Sequence, residues 1–169
     1  MDKVNTLEFK MIDPVEAGEE WAVDLGSLVK VVEIYIDGKE MLDIVKPEND
    51  AFMRAEAQEI QEDEWNWSNG IPYGHVDPRS LYKNLVEATE EGSYSYDEGV
   101  FLFVCNSCGI EGCWSITMHV KEDDKYVYWY DFEHFNRDWH YNLSFKFDKI
   151  RYYQALEILK EMGKIQKRV

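Results

Sequence analysis

Apolar and polar residues alternate with a period of two over much of this chain, and the alternation predicts strands. In "VKVVEIYIDGKEM" (29–41), Val32, Ile34 and Ile36 alternate with Val31, Glu33 and Tyr35, and Asp37-Gly38 supplies a turn. "LEFKMID" (7–13) reads as an earlier strand. The clearest β region lies further on. "VFLFVC" (100–105) is apolar on both faces, as a central strand would be, and "WSITMHV" (114–120) sets Trp114, Ile116, Met118 and Val120 opposite Ser115, Thr117 and His119. "KEDDK" makes the next turn, "YVYWYDF" is a strand of β-branched and aromatic residues, and "NLSFKF" gives a further one.

Helical signals are fewer. "EMLDIV" predicts a short helix that Pro47 ends, because an interior proline lacks the N–H and clashes with the preceding turn. In "NDAFMRAEAQEIQEDEW" (49–65) the residues favour helix, but the apolar positions keep a poor 3.6-residue period; "WNWSNGIPYGHVDP" (65–78) reads as loop. A helix from Asp77 is better marked, with Asp at the N-cap, Pro78 next, then Leu81, Leu85 and Val86 on one face. "EEGSYSYDEG" (90–99) is a solvated connection. A terminal helix capped by Asp148 turns Tyr152, Leu156 and Leu159 inward, with Gly163 as its C-cap. With no long linker and no internal repeat, residues 1–169 are expected to form one domain. Its class is α+β: a single antiparallel sheet packed with helices, the C-terminal helix against the sheet.

Composition agrees. A chain of 169 residues, 45% hydrophobic and 15% aromatic, can bury a sizeable core and is too apolar for disorder. No apolar run approaches the roughly 18–20 residues that span a bilayer, and "MDKVNTLEFKMIDP" lacks the apolar core of a signal peptide. An odd number of clustered cysteines argues against a secreted disulfide framework, so a soluble cytoplasmic protein is expected.

The net charge of −16 changes the picture more. It is uneven: residues 47–98 carry thirteen acids against Arg54, Arg79 and Lys83, whereas 146–169 carry seven bases against three acids. Such a surface repels phosphate backbones and anionic lipid, which disfavours nucleic-acid and membrane partners. It would steer a basic protein, such as a nuclease, toward the acidic face. The bland reading is that the acidity keeps the domain soluble. Within that face, Trp65 and Trp67, preceded by Glu62, Asp63 and Glu64, form the candidate partner-binding patch: exposed Trp in a loop would favour a binding face, whereas Trp folded over the sheet edge would be structural.

All three cysteines fall in "VCNSCGIEGCW" (104–114). Cys105-Asn106-Ser107-Cys108-Gly109 has the spacing of a zinc knuckle, and Gly112-Cys113 could return a third thiolate to the same ion. The fourth ligand is the difficulty. On a continuous strand His119 lies about 20 Å from Cys113, at ~3.3 Å per residue, too far to share a metal. His75, His134, His140, a carboxylate or water would have to complete the site. A redox Cys-x-x-Cys pair would need a helix N-terminus to stabilise its thiolate, and here the pair lies between strands. The third reading is a tight hairpin lined with small thiols, without chemistry.

The segments "CGIEGCWSI", "VYWYDF" and "FKFDKIRYYQAL" together resemble an uncharacterised family of bacterial proteins with a Cys-Gly…Gly-Cys hairpin, a Trp-x-x-Phe strand and a terminal Phe-x-Phe-Asp…Tyr helix start. The resemblance spans roughly residues 100–157. It implies bacterial origin and a shared fold, and it brings no catalytic residue, because the family has no assigned activity.

"WYDFEHFNRDWHYNLSF" (129–145) sets Asp131, Glu133, His134, Asp138 and His140 among aromatics, an acid–base candidate if two of them converge on one proton. Otherwise it is a strand running into a loop, its aromatics completing the core. No P-loop, G-x-G-x-x-G, G-x-S-x-G or H-E-x-x-H occurs, which counts against the common nucleotide, hydrolase and metalloprotease chemistries. The expectation is therefore a non-catalytic acidic module that binds a basic protein, immunity- or inhibitor-like in its sharpest form. The alternatives are a zinc-stabilised domain with Cys105, Cys108 and Cys113 as ligands, and an enzyme using the 131–140 cluster.

Overall fold

Asp37 and Gly38 both take positive φ, 53° and 80°, the two-residue turn whose twist matches a hairpin. The turn joins β2 (Val31–Ile36) to β3 (Lys39–Glu40), and β1 (Leu7–Ile12) pairs antiparallel with β2 to complete a three-stranded sheet. This is a computed structural model, and it describes residues 3–19, 30–59, 73–89, 99–106, 109 and 115–166. Val32, Ile34 and Ile36 point into the core, as their alternation predicts.

Among the described residues the strands pair antiparallel but form three sheets, where the pattern suggests one. The "VFLFVC" run is the reason. It divides at Leu102, so that β5 (Val100–Phe101) pairs with β7 (Ile116–Glu122) while β6 (Phe103–Cys105) pairs with β4 (Tyr73–His75). β7 continues into β8 (Tyr126–His134), which carries β9 (His140–Tyr141) and β10 (Phe145–Asp148) as further partners. Isolated bridges join the sheets: Val32 N donates to Val76 O at 2.9 Å, and Asn5 pairs with Phe147. The 65–78 stretch was expected to be loop, yet Tyr73–His75 is a strand, all three residues buried. The rest of that prediction, through residue 72, lies outside the described residues.

Three helices complete the described structure. In α1 (Met41–Glu59) Pro47 does not end the helix. The buried positions Met41, Val45, Asn49 and Met53 recur every four residues and hold one face against the core across the proline, which itself faces outward. α2 (Pro78–Glu87) starts as the sequence predicts, Asp77 Oδ1 accepting from Ser80 N at 3.0 Å. α3 (Lys149–Gln166) lies on the strands and against α2. Asp148 caps it through Arg151 N at 3.0 Å, and Tyr152, Leu156 and Leu159 are buried. Gly163 is not a C-cap but an interior residue: a Cβ there would stand 2.7 Å from Arg79 Cγ, so its bareness lets α2 approach.

The core centres on Trp129, which meets Phe147 and Tyr152 edge-on at 5.0 and 6.2 Å and donates from Nε1 to the Tyr152 hydroxyl at 3.2 Å. Edge-on aromatic pairs add roughly 0.5–1.5 kcal/mol each beyond area burial. The fold is α+β with its C-terminal helix packed on the sheet. No helix among the described residues is long and apolar enough to cross a membrane.

Candidate functional site: an acid-lined cleft around His75

The β2–β3 register decides which side chains face the cleft. Tyr35 stands opposite Glu40, and Glu33 lies two residues before Tyr35, so all three share a face away from the Val32/Ile34/Ile36 core. The Val32–Val76 bridge then draws the end of β4, with His75, against this hairpin. Glu19 arrives from the other side. Asp13 Oδ1 accepts from Val15 N at 2.9 Å, and Ala17, Gly18 and Glu19 donate their N–H groups back to residues 13–15, a turn that delivers Glu19 into the core.

His75 is 6% exposed and carries a carboxylate on each ring nitrogen: Glu19 Oε1 at 3.1 Å from Nδ1 and Glu40 Oε1 at 2.9 Å from Nε2. Its backbone N–H also donates to Glu19 Oε1. Burial disfavours the imidazolium, but the hydrogen bonds and charges of Glu19 and Glu40 outweigh it and push the pKa up to about 9. Glu19 is itself only 2% exposed, and its Oε2 is buried with no hydrogen-bond partner. Gly74 is what admits it: a Cβ there would sit 2.7 Å from Glu19 Oε1 and 3.2 Å from Val104 Cγ2. Tyr35 donates to Glu33 Oε1 at 3.3 Å. The cleft encloses about 700 Å³ and its described lining carries Glu16, Glu19, Glu33, Glu40 and Asp43 against His75 and one lysine, Lys46, which is paired with Asp50 at 2.9 Å.

Of the residues singled out from sequence, Cys105 ends β6 opposite Tyr73 and is buried. Cys108 and Cys113 lie outside the described residues, as do Glu62, Asp63, Glu64, Trp65 and Trp67. Asn106, the residue after Cys105, lines the cleft. The 131–140 cluster divides. His140 pairs with Asp138 at 2.8 Å and Glu133 at 3.4 Å on the surface, the Asp138 side chain 97% exposed. His134 turns inward, its Nδ1 accepting from Asn136 N at 3.2 Å and its ring edge-on to Trp139. One histidine of the cluster is thus exposed and the other buried. His119 stands beside the Tyr130 ring.

No family model, curated protein or solved structure matches the chain.

The cleft itself was partly legible. Once Asp37-Gly38 is taken as a two-residue turn, Glu33, Tyr35 and Glu40 must share a face. Glu19 and His75 carry no such local signal, since they meet across 56 residues. Chemically, an imidazole held on both nitrogens and protonated at neutral pH is a poor general base. The carboxylates around it are acceptors for positive charge, from a guanidinium, an ammonium or a metal ion. Glu33, Glu40 and His75 each place one ligand atom within 4.8 Å of the others.

Proposed function

We propose that this protein is a non-catalytic binding module for a basic protein, which it engages at the mouth of the His75 cleft. The observation that carries the reading is the described lining of that cleft, five carboxylates against His75, which is held by two of them, and one lysine already paired with Asp50. On a chain of net charge −16, the mouth residues Glu16 and Asp43 are exposed, where incoming lysine or arginine side chains would meet them. An inhibitor of a basic toxin, encoded beside it, is the sharpest form of the proposal.

The test is capture of partners from the cell of origin by purified protein, at about 50 mM and about 500 mM salt. A basic protein held at low salt and released at high salt is expected, with Glu16→Gln/Asp43→Asn binding it at least tenfold more weakly. The toxin-inhibitor form further requires that the gene of this partner adjoin its own. A partner set unmoved by salt and by the double substitution would contradict the proposal.

A further inference from the structure

The inner end of the same cleft carries a feature that binding a basic protein does not require. Glu19, Glu33 and Glu40 gather there around His75, among the described residues the one basic group hydrogen-bonded to any of them. Three carboxylates around one imidazolium make the group net negative, and one of them, Glu19, is only 2% exposed. Among the described lysines, Lys10 stands across the ladder from Glu33 with its Nζ 4.2 Å over the Tyr35 ring, while Lys30 pairs with Asp13 and Lys46 with Asp50. Glu19 is held by His75 through Oε1 alone; its Oε2 is buried without a partner, and a buried unpaired carboxylate oxygen is costly.

We propose that Glu33, Glu40 and His75 bind a first-row divalent cation. The donors suit it. His75 Nε2 and Glu40 Oε1 are 2.9 Å apart, close to the ~3 Å between neighbouring ligands of an ion held at about 2.1 Å. The Glu33 carboxylate lies within 4.8 Å of both and is tied only by a long bond from Tyr35, so a side-chain rotation brings it in. Behind the imidazole, Glu19 on Nδ1 supplies the outer carboxylate that metal-bound histidines characteristically have: it fixes the tautomer with the proton on Nδ1 and leaves Nε2 as ligand. On binding, the cation replaces the proton shared between Nε2 and Glu40, and that proton leaves to solvent. One imidazole with two carboxylates suits Mn²⁺ or Zn²⁺, with water completing the coordination. This site is distinct from a cysteine zinc site, because none of its ligands is a thiolate.

The experiment uses the full chain and Mn²⁺ as the probe, which oxygen and imidazole donors favour and thiolates do not. Free Mn²⁺, read by its paramagnetic resonance signal, reports binding. One ion per chain is expected. Glu33→Gln and Glu40→Gln, both at partly exposed positions, should each weaken binding more than tenfold, and Glu19→Gln by roughly 10–100-fold, as loss of an outer carboxylate does. The circular dichroism of each variant reports whether it is folded. No binding to the wild-type protein at millimolar Mn²⁺, or equal binding by folded Glu33→Gln and Glu40→Gln, overturns the site. The partner proposal is tested at Glu16 and Asp43 instead, so either can fail without the other.

Discussion

His75 has a carboxylate on each ring nitrogen, whereas His134 faces Arg137, Trp139, Tyr73 and the Asn136 N–H. Burial and the Arg137 guanidinium, itself held by Glu56 at 2.9 Å, therefore lower the His134 pKa to about 4. Its imidazole is neutral in the folded protein near pH 7, and its ring resonances should titrate near pH 4 by NMR; a midpoint near 6.5 would contradict the buried placement. Because the folded value lies below the unfolded 6.5, His134 contributes stability above about pH 6.5 that is lost as pH falls toward 4. Asn49 shows the same dependence of a polar group on its partners. Tyr73, Tyr141 and Asn49 form a buried chain, the Tyr141 hydroxyl donating to Asn49 Oδ1 at 2.8 Å and lying 2.8 Å from the Tyr73 hydroxyl. Asn49→Ala leaves that donor without its acceptor and should cost about 1–3 kcal/mol in urea unfolding, whereas a surface asparagine would cost far less.

At the scale of elements, α1 shows why part of the fold was hidden in the sequence. Its buried positions 41, 45, 49 and 53 are as regular as any helix, but one is asparagine, which a hydrophobic count scores as a gap. Pro47 then reads as a stop, although core packing on the opposite face carries the helix through it. The proline removes the N–H that would bond to the Asp43 carbonyl, so Pro47→Ala should raise stability by about 1–2 kcal/mol after the added freedom of the unfolded chain is deducted. Unchanged or lower stability would mean that the helix is broken there. Where chemistry is local, the sequence was readable. Asp37-Gly38 and Asp77-Pro78 set their turn and cap, and Asp77→Ala should cost about 1 kcal/mol through loss of the Ser80 N–H bond. Where the determinant is a distant neighbour, it was not: β4 exists because Phe103–Cys105 pairs with it, and Gly163 is small because Arg79 lies over it.

Across the whole molecule, charge is distributed rather than uniform. The C-terminal segment is basic, and α3 also exposes Ile150, Ile158 and Ile165, whereas the His75 cleft gathers carboxylates from the 14–18 turn, β2, β3 and the start of α1. The proposed function assigns partner binding to the second of these surfaces. Hydrogen–deuterium exchange of the protein alone and in complex with its captured basic partner tests that assignment most directly. Amides of residues 14–18 and 40–46 should exchange more slowly in the complex, while those of α3 keep their rates. Slowing confined to α3, with the cleft segments unchanged, would contradict it.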